Sequence, residues 1–192
     1  MTLVEVRSKM KIALLCDRVQ YAIERHVVLQ PEAVQGAQHL HERRDCEEFV
    51  RTIFPELLPS FVGLARAVER ADFFRYLVVY HYGGLYADTD VTCLQPMDQW
   101  LPPSAELVIG LENEFPSAEL AGARQYACAR QYLQWAFLAK KGAPLLKAAV
   151  DRILHPEIGL PAEDTKARKA DVTTLELTGP GMWTQEIFKY VG

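Results

Sequence analysis

An α/β domain is the fold class this sequence predicts, and three observations carry it. Short runs rich in Leu, Val and Tyr alternate with apolar stripes at helical spacing, and glycine and proline punctuate the changes. Of the 192 residues 49% are apolar, enough to bury one sizeable core. No internal repeat or low-complexity tract interrupts the alternation, so the chain reads as one globular unit and not as an array.

The elements follow in order along the chain. Ile12, Ala13, Leu14 and Leu15 form an apolar run whose length fits a strand or one turn of helix, and periodicity alone does not separate the two. Otherwise residues 1–39 carry weak signals and read as a divergent or incomplete N-terminal segment, with the core domain at 40–192. Cys46, Phe49, Val50 and Ile53 fall at helical spacing, and Pro55 and Pro59 end that helix. Leu64, Val68, Ala71, Phe74, Leu77 and Val78 form the stripe of a second helix. Gly83-Gly84 breaks it, because paired glycines accept left-handed or turn geometry. Residues 85–91 and 107–111 read as strands. Residues 133–139 read as a third, with a helix across 126–140 as the rival. Pro144 suits a helix start, and Leu145, Leu146, Ala149, Val150, Ile153 and Leu154 continue with helical period. The charged stretch 163–171 reads as an exposed loop, 172–177 as a last strand and 183–191 as a last helix.

Composition excludes several classes of function. A net charge of −4 with scattered Lys and Arg offers no basic footprint for nucleic acid. The four cysteines, Cys16, Cys46, Cys93 and Cys128, form no CxxC pair, which argues against a zinc ribbon or a thioredoxin-type site and leaves free thiols as the expectation. No stretch approaches the roughly 20 apolar residues that cross a bilayer.

The chemistry concentrates at Asp88 and Asp90. Alternate side chains of an extended strand share a face, so the two carboxylates point the same way. Anionic groups held that close repel unless a cation or protons lie between them. Oxygen-only ligands favour a hard ion, Mn2+ or Mg2+, which bridges to substrate phosphates. The preceding helix brings Asp72 and Arg75, three apart and on one helical face, to the same helix–turn–strand unit. Taken alone, that couple reads better as a plain surface ion pair worth under ~1 kcal/mol; beside Gly83-Gly84 and Asp88-Thr89-Asp90 it reads as part of a site. The run Asp88-Thr89-Asp90-Val91-Thr92 also fits the DxDxT nucleophile motif of haloacid-dehalogenase-like phosphatases. Those enzymes need a second close acidic pair downstream, and Asp98, Asp151, Asp164 and Asp171 supply none.

A resemblance adds to this reading. Arg70-Ala71-Asp72-Phe73-Phe74-Arg75-Tyr76-Leu77, followed by Tyr82-Gly83-Gly84-Leu85-Tyr86-Ala87-Asp88-Thr89-Asp90, resembles the DxD-containing sugar-binding region of glycosyltransferase family 32. Arg130-Gln131-Tyr132-Leu133-Gln134-Trp135, Lys141-Gly142-Ala143-Pro144-Leu145-Leu146 and Thr178-Gly179-Pro180-Gly181-Met182-Trp183-Thr184 are similar in turn to the fungal initiation-specific alpha-1,6-mannosyltransferases. The similarity runs over about residues 40–192.

The resemblance implies a GT-A-like domain, a Rossmann-like mixed sheet flanked by helices that binds a nucleotide sugar. It implies a retaining, metal-dependent transfer of mannose from GDP-mannose to a glycan or glycolipid acceptor, of the N-glycan outer-chain type. Asp88 and Asp90 would hold Mn2+ or Mg2+. Asp72, Arg75, Asp88, Tyr86, Gly83 and Gly84 would surround the donor sugar, with Arg75, Asp88 and Asp90 catalytic. Trp183 is the acceptor-side candidate. Similar proteins work in the Golgi lumen behind an N-terminal anchor. The family's nucleotide-binding opening and a later histidine-bearing segment find no counterpart here, so the fold is expected to be truncated at both ends. An inactive fragment with residual sugar-nucleotide binding is the alternative.

Overall fold

The computed structural model describes residues 3–5, 11–13, 26–29, 38–41, 43–88, 91, 105–156 and 174–192. They build a mixed α/β structure on one sheet. The strands are β1 (Leu3–Glu5), β2 (Lys11–Ala13), β3 (His26–Leu29), β4 (Gln38–His41), β5 (Gly84–Asp88), β6 (Leu107–Glu114) and β7 (Arg130–Ala139), in the spatial order β1-β2-β6-β7-β5-β3-β4. Every pairing is antiparallel except β2 with β6. Thus β2 and β3, from the weakly patterned start of the chain, join the same sheet as the later strands, against β6 and β5. Of the apolar run 12–15, Ile12 and Ala13 lie in strand β2, and Leu14 and Leu15 lie outside the described residues.

The helices are α1 (Arg43–Ile53), α2 (Leu58–Gly63), α3 (Ala67–Tyr82), α4 (Ala118–Ala123), α5 (Pro144–Leu154), α6 (Thr174–Leu177) and α7 (Pro180–Val191), with a 3-10 turn at Pro55–Leu57. Successive core-strand residues divide between the two sheet faces. Tyr86, Ile109 and Phe137 join the large cluster with α3, α5 and α7, whereas Leu85, Val108 and Leu138 form a small cluster of their own. Helix α3 lies within that large layer. Phe73 through Val79 are all buried without a break, so it is covered on all sides where the stripe predicted one buried face.

Two local geometries position the site. Gly83 caps α3 at φ 73° and ψ −179°, a combination only glycine adopts readily. A Cβ there would lie 2.6 Å from the backbone nitrogen of Lys141. The tight turn feeds α3 directly into β5. Between β6 and β7 the register slips: Ile109 faces Phe137 but Leu111 faces Tyr132, so two steps along β6 match five along β7. The surplus residues bulge from the ladder, and bulges re-aim side chains and free backbone groups.

One expectation is corrected. Residues 174–177 form one turn of helix, not strand. Apolar and β-branched content marks only a fit to a neighbouring strand; here the backbone bonds locally, with the Thr178 and Gly179 amides donating to the Thr174 carbonyl at 3.1 and 2.9 Å. The first helix stops at Ile53, ahead of Pro55, as expected. Pro55 opens the 3-10 turn and Pro59 sits in the first turn of α2, where a missing N–H is harmless. Residues 130–139 are strand, which settles the rivalry with a helix. The expected loop at 163–171, Cys16 and Cys93 lie outside the described residues; Cys46 is buried and Cys128 half-buried. Among the described residues no helix is long and apolar enough to cross a membrane.

Candidate active site

Helix α3 delivers Asp72 and Arg75 from adjacent turns into the protein interior, 3% and 5% exposed. The Arg75 Nη2 lies 3.1 Å from the Asp72 carboxylate and 3.6 Å from that of Asp88, at the end of β5. Its Nη1 donates to the Gln134 carbonyl at 3.1 Å, within the bulged stretch of β7. The guanidinium also sits 5.0 Å from the centre of the Tyr86 ring. A surface ion pair this is not. Taking both charges out of water costs several kcal/mol, offset only where further partners crowd around, and Arg75 has four. Burial acts to lower the Arg75 pKa, but Tyr86, Asp72 and Asp88 outweigh it, so the group stays cationic. Its Nε is buried without a hydrogen-bond partner among the described residues.

Around this triad lies a layer of neutral donors. The Thr178 hydroxyl donates to the second Asp72 oxygen at 2.8 Å. The Tyr76 hydroxyl and the Gln134 amide both donate to the Thr178 carbonyl, at 3.0 and 2.9 Å, and Gln134 also reaches the Tyr76 hydroxyl at 2.7 Å. The Tyr86 hydroxyl donates to Asp88 at 2.6 Å. Burial raises the Tyr86 pKa, with Arg75 opposing and Asp88 adding to the rise, which keeps the hydroxyl protonated and a donor. Thus α3, β5, β7 and the α6–α7 junction are tied through buried polar groups.

Asp72, Arg75 and Asp88 line one cleft of ≈ 210 Å³. Of Asp72 and Asp88, Asp88 is the accessible one, with a side chain 30% exposed against 4% for Asp72. Sequence reasoning missed Glu112 on β6 and gave no site role to Gln134 and Trp135 on β7, which line it too, with Val68, Thr174, Leu175, Gly179 and Pro180. Neighbours on a regular strand face opposite ways, so the bulge is what allows Gln134 and Trp135 to share the cleft. The QW and TGP segments signalled those stretches, but nothing in the sequence signalled Glu112.

Several sequence-based assignments change. Trp183 is fully buried, its indole N–H donating to the Leu133 carbonyl at 2.9 Å and its rings packed against Tyr76 and Phe137. It is a core residue with no surface for an acceptor. Tyr86 is equally buried, does not line the cleft, and meets it only through its hydrogen bond to Asp88. Gly84 starts the strand that Asp88 ends, four steps or about 13 Å away, and neither Gly83 nor Gly84 lines the cleft; their work is the turn. Asp90 lies outside the described residues.

The cleft fits a hard cation by its donor chemistry. Among the described lining residues three carboxylates face one guanidinium, an imbalance hostile to a phosphate-bearing ligand unless positive charge joins them. Asp88 is the described residue positioned to hold such an ion. No cluster of three or more ligating side chains occurs among the described residues.

An acidic cleft at the end of a strand, backed by a buried Asp–Arg couple on the preceding helix, has the polarity that suits a polar, hydroxylated ligand. Comparison with known proteins narrows this. The family described as "Glycosyltransferase sugar-binding region containing DXD motif" matches residues 9–106, more than half of the chain. The chain belongs to this family of glycosyltransferases. The match begins at residue 9, inside the segment that carried only weak signals.

Three relatives extend the similarity beyond that region. HOC1 of Saccharomyces cerevisiae, named as a glycosyltransferase, is 30% identical over 143 residues, 71% of this chain and 36% of its own. The initiation-specific alpha-1,6-mannosyltransferases of Schizosaccharomyces pombe and Candida albicans are 34% identical over 137 residues and 27% over 166, covering 69% and 77% of this chain and 34% and 42% of theirs. The chain therefore spans between 34% and 42% of the length of these relatives. No solved structure matches it. Family membership sets aside the phosphatase reading of the Asp88-Thr89-Asp90 run.

Proposed function

We propose that the chain forms the donor-sugar site of a GT-A-like mannosyltransferase that takes mannose from GDP-mannose and passes it, with retention, to a glycan in alpha-1,6 linkage. The observation that carries this reading is the buried Asp72–Arg75–Asp88 cluster opening on a cleft, within the family's sugar-binding region. The names of the S. pombe and C. albicans relatives support the sugar and the linkage.

Each residue has a physical task. Asp72, fixed by Arg75 and Thr178, accepts hydrogen bonds from sugar hydroxyls at the cleft wall. Arg75 supplies the positive charge nearest the donor and orients Asp72 and Asp88. Asp88, steadied by Tyr86, together with Asp90 holds Mn2+ or Mg2+. The ion, when bound, offsets the charge that grows on the departing diphosphate. A Golgi setting follows only from kinship with such transferases.

Release of GDP from GDP-mannose, with and without Mn2+, tests the reading directly. We expect metal-dependent turnover that falls at least about a hundredfold in Asp88→Ala, as expected where a transition-state contact is removed. No turnover with GDP-mannose or UDP-glucose under either ion would return the chain to an inactive fragment.

A further inference from the structure

Glu112 and Trp135 line the cleft, yet none of the tasks above uses them. Glu112 lies on β6 within the irregular stretch between Leu111 and Asn113, and Trp135 lies on the bulged part of β7. Both are half-buried. The Trp135 indole N–H donates to one Glu112 oxygen at 3.2 Å, and the Gln131 amide donates to the other at 2.8 Å. Gln131 is itself locked, because its amide oxygen accepts from the Ala127 backbone at 2.9 Å. A partly exposed carboxylate held at both oxygens does not wander, so it presents its remaining lone pairs to the cleft in a fixed direction.

The charge of this wall selects the ligand. No cation pairs with Glu112 among the described residues, and Arg75, the one cation of the described lining, is shared by Asp72 and Asp88. A diphosphate would be repelled by a further carboxylate, whereas neutral hydroxyls donate to it through charge-assisted hydrogen bonds. The indole N–H is already committed, which leaves apolar ring surface for the C–H face of a pyranose. A bulge that turns neighbouring strand residues toward one cleft fits a binding wall better than a structural repair.

We infer that Glu112 and Trp135 form a second carbohydrate subsite, which takes the neutral pyranose acceptor. The term acceptor rests on the transferase reading; the subsite itself requires only that the cleft bind an uncharged sugar. Trp135 thereby takes the place expected of Trp183.

The probe is methyl α-D-mannopyranoside, with binding followed by saturation-transfer NMR on the full chain and, in parallel, GDP binding with Mn2+. Glu112→Gln is expected to weaken mannoside binding about tenfold, the scale of one charge-assisted hydrogen bond, while GDP affinity stays within about twofold. Trp135→Ala is expected to abolish mannoside binding. Trp135→Phe keeps a ring and serves where the alanine variant does not fold; it should fall between. In transfer assays Glu112→Gln should raise the acceptor KM and leave the donor KM. Mannoside binding absent in the unaltered chain, or equal in all variants, overturns the inference, as does a parallel loss of GDP binding. If no sugar is transferred but mannoside binding still depends on Glu112, the subsite stands and the transferase reading falls.

Discussion

Tyr86 shows how a buried residue reaches a ligand it does not touch. The Tyr86 hydroxyl donates to the accessible carboxylate of Asp88, and its ring stacks on Phe137 and faces Arg75. Tyr86→Phe retains the ring packing and removes one donor from a carboxylate that water can still reach, so folding stability should drop by no more than about 1 kcal/mol. Donor turnover should fall about tenfold with acceptor KM unchanged, since Asp88 loses its fixed orientation; steady-state kinetics against denaturant midpoints separate the two effects. An Asp72→Ala variant behaves oppositely. It strips the 4%-exposed partner from the Arg75 cation and leaves the Thr178 hydroxyl only the longer contact to the Thr174 carbonyl, at 3.4 Å. A loss of about 3 kcal/mol is expected, the scale of an uncompensated buried charge. Chemical denaturation measures it, and a loss under about 1 kcal/mol would mean that Asp88 and the Gln134 carbonyl suffice for Arg75.

At the scale of elements, the α3–β5 unit was the most legible part of the chain. The apolar spacing of Phe74, Leu77 and Val78, the glycine pair and the Asp88 strand could each be read directly, because local chemistry determines them. The β6–β7 bulge could not be read. A register slip depends on which strands become neighbours, and with it went Glu112 and the sharing of one cleft by Gln134 and Trp135. Trp183 misled for the converse reason: its place beside the TGP run is local, while its burial is set by Tyr76 and Phe137 from other elements. The strand expected at 172–177 failed likewise over 174–177, where the backbone bonds within its own turn. Gly83 gives the element-scale test. Gly83→Ala meets both a positive φ and a backbone nitrogen at 2.6 Å, whereas Gly142→Ala meets only φ 72° with nothing within 4 Å. Expected losses are about 3 kcal/mol for the first and about 1 kcal/mol for the second. At two to four degrees per kcal/mol for a chain of this size, the Tm drops are roughly 6–12 °C and 2–4 °C. Equal drops would show that close packing of the α3–β5 turn on Lys141 adds nothing.

Across the whole molecule, the cleft is where separate parts of the chain meet: α3 and β5 from the family's sugar-binding region, β6, β7 and the α6–α7 junction from beyond it. A ligand that bridges these parts should stabilise all of them together. Among the described lining residues the carboxylates outnumber the cations three to one, so GDP alone should bind poorly and a divalent ion alone should bind without rigidifying the far wall. Supplied together at about a hundred times the Kd, they should contribute about 2.7 kcal/mol. That corresponds to a Tm increase of roughly 5–10 °C, well above the sum of the separate shifts. The joint increase should vanish in Asp88→Ala and Asp90→Ala and survive in Glu112→Gln, because the first two remove the charge that holds the ion and the third touches only the neutral-sugar wall. A joint shift that persists without Asp88 and Asp90 would place the cation elsewhere and leave the cleft's acidity without a ligand to match.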